Sequence, residues 1–172
     1  MSVLDYLQNM ALADWVRSSP SIFAYTTVLT LHAVGLALVI GVNTLIGLRL
    51  LGVAPGIPLT ELERLYGVVW VGFLINLSSG FLLFIAEANS MAAMVAFWAK
   101  LFLVACGMTI ALQLKRRYFS DRVSVAAGIV TRTGRNLAIG SLFCWYLALI
   151  VGRLTGYPDL VAGWLHMGGG GG

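Results

Sequence analysis

Residues 29–52, LTLHAVGLALVIGVNTLIGLRLLG, decide how this chain is read. Twenty apolar residues cover the hydrocarbon core of a bilayer as a helix, and this run is long enough. Yet it carries His32 in one half and Asn43 and Arg49 in the other. A polar or ionisable group at that depth is costly and normally faces a cavity or a partner.

Composition places the remainder of the chain in the same class. Of 172 residues, 59% are hydrophobic and 10% charged, and mean hydropathy is +0.90; no ordinary soluble surface has that balance. Four stretches reach spanning length, predicting helices at about 20–51, 61–86, 90–118 and 135–155. The expected fold is all-α: a single integral-membrane domain over 1–167, a four-helix up-down bundle with short loops between antiparallel neighbours. Residues 168–172, five glycines, read as a flexible tail outside it.

The connections carry their own signals. Ser19 and Pro20 suit the start of span one, and Thr60 with Glu63 reads as a capping box for span two. Asn89 or Ser90 is expected to cap span three, and Asp121 the helix after it. The first 18 residues lack a basic leader and place Leu4, Leu7, Met10 or Ala11, and Trp15 at helical spacing, predicting an amphipathic helix in the interface rather than a cleaved signal. A short tail helix is expected at 157–167.

The net charge of +4 reads as topology. Lys115, Arg116, Arg117, Arg122, Arg132 and Arg135 hold six of eleven basic residues, so the 119–134 connection is expected in the cytoplasm, with both termini outside a bacterial inner membrane. No aromatic interleaving marks a base-stacking surface, so nucleic acid is not an expected partner; the lipid bilayer is. Arg49 and Arg64 are expected to snorkel at the inner surface. Cys106 and Cys144 fall inside spans, which argues against a disulfide framework. No phosphate loop, nucleophile elbow or pair of carboxylates within a span is present, so independent catalysis is not expected.

Each span has one small or polar face at 3.6 residues per turn. His32 shares its face with Gly35, Val39, Asn43 and Gly47, and span two aligns Gly72, Asn76, Ser79, Gly80 and Glu87. Most of these are the small residues that let membrane helices approach. His32 and Lys100 are different: each lies about ten residues into a span, and both spans run the same way, so the two sit at similar depth. Zinc needs about four ligands, which the spans do not offer. Haem needs one or two axial ligands in an apolar slot. His32 is therefore the candidate iron ligand of a haem b, with Gly35 as clearance for a flat macrocycle. Lys100, Tyr25 and Arg153 are placed for its propionates. Asn76 belongs to the same site; alternatively His32 simply hydrogen-bonds Asn76 or Ser79. His166, the other histidine, is a weak second ligand. Met91 and Met94 leave a copper reading open, since thioethers favour Cu(I).

LHAVGLALVIGVNTLIGLRLLG at 31–52 and FWAKLFLVACGMTIAL at 97–112 resemble a bacterial family of small four-span proteins of unknown function, and more distantly HemJ-type protoporphyrinogen oxidases and CopD-type copper-resistance membrane domains. The HemJ resemblance implies that His32 ligates haem b and that Arg49 and Lys100 occupy motif positions. The chain departs from that pattern in lacking a histidine near Arg49 and in span four. The leading expectation is a haem b protein passing electrons to a membrane or periplasmic redox partner. The alternatives are a cofactor-free anchor subunit, a homo-oligomer included, and a copper-handling protein.

Overall fold

The computed structural model describes residues 3–19, 22–119, 121, 123, 125 and 127–154. The described chain is all-helical: α1 (Val3–Gln8), α2 (Ala11–Ser18), α3 (Ile22–Leu51), α4 (Leu59–Arg64), α5 (Tyr66–Ala86), α6 (Ala88–Ala93), α7 (Val95–Gln113), a π-turn over Leu114–Tyr118, and α8 (Arg132–Leu154). Four helical stretches are long and apolar enough to cross a membrane: Ala24–Leu51, Leu59–Ala86, Val95–Arg116 and Arg132–Leu154. They form the expected four-helix bundle and are called spans one to four below.

Spans one and two form one hairpin, spans three and four the other, and span one packs on span four to join them. Lipid tails are as apolar as leucine, so close packing rather than water exclusion holds such helices together. Each main seam accordingly has a glycine. Gly35 and Gly72 set the approach of spans one and two, Gly107 lies against the Trp145 ring, and Gly47 against Leu142. At the basic end Ile46, Leu50, Leu62, Tyr66, Leu114, Phe119 and Ala138 close a buried cluster. A smaller one at mid-depth gathers Val39, Ile40, Val69, Met108 and Trp145.

Several local expectations are corrected. The N-terminal segment is two helices broken before Met10, whose extended backbone (φ −67, ψ 146) precedes α2. The buried residues of α2 are Ala13 and Val16, while Trp15 stays exposed, because α2 folds onto spans one and two. Span two starts at Leu59 after Pro58, with no side-chain cap; burial of Leu59 starts the helix before Thr60 and absorbs the capping box. Asn89 and Ser90 lie inside α6, and Met94 precedes α7. The Asn89 amide donates to Asp5 Oδ1 at 3.1 Å and its backbone N–H to Gln8 Oε1 at 3.2 Å, so it pins α1 instead. Span four begins at Arg132 rather than 135. Apart from these corrections, the Asp121 carbonyl accepts the Val125 N–H at 3.0 Å, the bond that the carbonyl of an N-cap residue makes. Pro20, the 157–167 helix, His166 and the glycine tail lie outside the described residues.

The Asn89 contacts are exposed, so Asn89→Ala is expected to cost under about 1 kcal/mol globally while loosening α1. Hydrogen exchange should rise across 3–8 and stay unchanged in the spans.

Candidate functional site

Away from the basic end a cavity of about 460 Å³ lies between the two hairpins, within the range of pockets that hold small ligands. Span one lines it with His32, Ala33, Leu36, Ala37, Ile40 and Gly41. Asn76 reaches in from span two, Lys100 and Val104 from span three, and Ala148, Leu149, Gly152 and Arg153 from span four. The walls are apolar, with a histidine and two cations set into them.

The histidine is held from one side. Its Nδ1 lies 3.1 Å from the Asn76 carbonyl oxygen and 3.2 Å from Ser79 Oγ. A carbonyl only accepts, so the contact assigns the proton of neutral His32 to Nδ1. Ser79 Oγ meanwhile donates to the Ile75 carbonyl at 2.6 Å. Asn76 Nδ2 returns a bond to the His32 carbonyl at 2.9 Å, making the pairing reciprocal. Gly80 supplies the room, since a Cβ there would stand 3.0 Å from His32 Cε1. Nε2 is left with no hydrogen-bond partner among the described residues and carries the lone pair. A backbone carbonyl on one nitrogen and an open lone pair on the other is how metal-ligating histidines are commonly oriented.

Lys100 is seated the same way. A Cβ at Gly152 would lie 3.3 Å from its Cδ and 3.5 Å from its Cε, so the stem occupies the slot glycine leaves. Among the described residues the ion pairs are Arg17–Asp14 and Arg64–Glu61, and neither supplies Lys100 with a counter-ion.

Of the residues expected at the site, His32, Asn76, Lys100 and Arg153 come together here. Gly35 does not line the cavity. It faces the backbone of span two, and the small residues that span one turns to the cavity are Ala33, Ala37 and Gly41. Tyr25 is exposed on span one and is not part of the wall, and Met91 and Met94 are not either. Sequence reading treated Gly80 as a packing residue only and gave Gly152 no role at the site. The signal it lacked was the antiparallel register that puts each against a functional side chain.

Arg49 also departs from expectation. It is 9% exposed rather than snorkelling, with Nε donating to the Ile57 carbonyl at 2.6 Å. Arg64 is exposed and pairs with Glu61 at 3.2 Å.

No group of three or more His, Cys, Asp or Glu side chains that could hold a metal ion occurs among the described residues. His32 is the imidazole on the cavity wall, and a macrocycle bringing four nitrogens of its own needs only one or two axial ligands. No family model, curated protein or solved structure matches this chain, so the functional reading rests on the site itself.

Proposed function

We propose that the chain is a haem b-binding membrane protein that passes electrons between redox partners, with His32 as the axial ligand. The observation that carries this reading is the fixed imidazole: Nδ1 is tied to the Asn76 carbonyl and Nε2 is open beside an apolar cavity. The residues fit the group in kind. His32 offers one nitrogen ligand, Leu36, Ile40, Val104 and Leu149 offer apolar wall, and Lys100 and Arg153 offer charge for two carboxylates. Haem supplies one-electron chemistry when bound, and the protein tunes it by burial and by hydrogen bonding to the ligand. The Asn76 carbonyl would make the imidazole a stronger donor, and Lys100 and Arg153 would offer counter-charge to the carboxylates. In this reading the basic end faces the cytoplasm and the cavity end faces outward, where a periplasmic or membrane partner has access.

The test is an absorption spectrum with haem and metal quantification on the purified protein. Wild type is expected to show a Soret band at near one haem per chain, and His32→Ala to lose it while retaining its elution profile. A colourless wild type, expressed with haem in excess, sinks the proposal; copper at one per chain would favour the metal-handling alternative.

The reciprocal His32–Asn76 pair favours a second reading, a cofactor-free anchor subunit. Two side chains that each bond the other's backbone staple spans one and two whether or not anything fills the cavity. That reading expects His32→Ala to alter assembly and no spectrum.

A further inference from the structure

At the basic end, far from the cavity, a largely buried arginine has no anion beside it among the described residues. Arg49 is 9% exposed, its Nε is spent on the Ile57 carbonyl, and its terminal nitrogens have no hydrogen-bond or ion-pair partner among the described residues. Two connections close over it. One is the 52–58 loop, through Ile57. The other is the turn at Gly128, where a Cβ would lie 3.9 Å from Nη2 and where φ of 68° suits glycine. The acids at this end are committed or remote: Glu61 pairs with Arg64, and neither Glu63 nor Asp121 forms an ion pair with Arg49. Lys115, Arg116, Arg132 and Arg135 are all exposed around the same end.

No described acid neutralises this charge, and its terminal nitrogens are without a partner among the described residues yet not sealed off; a charge held this deep is costly until an anion meets it. The free edge of a guanidinium presents two parallel N–H groups, the geometry that phosphate oxygens match. The position, at the last turn of a spanning helix, is headgroup depth. We propose that Arg49 is the floor of a binding site for the phosphate of an anionic phospholipid, entered between the 52–58 loop and the Gly128 turn. The exposed lysine and arginines gather such lipids by long-range attraction, and Arg49 fixes one by direct hydrogen bonds. The bound headgroup thereby joins the span one–two loop to the span three–four connection.

The experiment uses the full chain in a neutral detergent, with native mass spectrometry and thermal unfolding read after adding dioleoyl-phosphatidylglycerol, dioleoyl-phosphatidylcholine or inorganic phosphate. Wild type is expected to keep one phosphatidylglycerol and to be stabilised by it, with no retained phosphatidylcholine. Arg49→Met is expected to weaken retention at least about tenfold, the value of a charge-assisted pair. Arg49→Lys, which keeps the charge but loses the fork, is expected to fall between, and it decides the matter if the methionine variant does not fold. Arg135→Gln, in the exposed cluster, is expected to keep the bound lipid. Equal retention of both lipids, or Arg49 variants that bind like wild type, overturns the proposal. Stabilisation by inorganic phosphate equal to that by phosphatidylglycerol reassigns the site to a soluble anion and overturns the lipid assignment.

Discussion

Gly35→Ala is expected to unfold the bundle at a markedly lower temperature. An added Cβ would meet the Asn76 backbone nitrogen at 2.6 Å, the Gly72 carbonyl oxygen at 2.8 Å and the Asn76 Cα at 3.0 Å. All three atoms belong to the backbone of a helix, so no side chain can swing away, and spans one and two must separate. Separation also stretches the His32–Asn76 pair, which sits one turn along the same seam. Overpacking of this kind costs about 3 kcal/mol, or roughly 6–12 °C in Tm for a chain of this size. Gly41→Ala is the matched control: no atom lies within 4 Å of its added Cβ, and its effect should stay within about 0.5 kcal/mol. Thermal melts followed by size exclusion in detergent measure both. Equal melting of the two variants would refute the close approach.

Lys100→Met is expected to move stability and binding in opposite directions. In the empty protein the ammonium sits in an apolar cavity with no ion pair among the described residues, and taking a charge out of water without a counter-ion is unfavourable. Replacing it by an apolar side chain of similar length should stabilise the ligand-free protein by about 1–3 kcal/mol. The stem still fills the slot at Gly152, so packing is preserved. A carboxylate-bearing ligand, however, loses its counter-charge and should be retained several-fold less well. Unfolding of the ligand-free protein and ligand retention are measured on the same two preparations. A variant that is less stable when empty would mean that Lys100 has a partner serving the fold, and the cation would then leave the binding argument.

Long apolar runs made the four spans legible, because a bilayer imposes one length on every crossing helix. The matching depth of His32 and Lys100 followed from counting, since alternate spans of an up-down bundle run the same way. What periodicity does not give is which neighbour each face meets. Gly35 shares a face with His32, and counting alone made it clearance for a ligand; the hairpin arrangement turns that face to span two, where the glycine serves backbone contact. Helix starts were misread for a related reason. Thr60 and Asn89 are good capping residues in isolation, but burial of Leu59 and docking of α1 settle their positions. Arg49 looked like a surface cation because periodicity does not reveal that the loop just after it and the distant Gly128 turn both fold over it.

The cavity lies where the two hairpins meet, and among the described residues span one is the helix of its hairpin that has an extensive seam on the other. Each hairpin can form from its own two helices, but the chamber exists only once span four has docked against span one. A guest held there would act as a bolt, fastening one hairpin to the other across that seam.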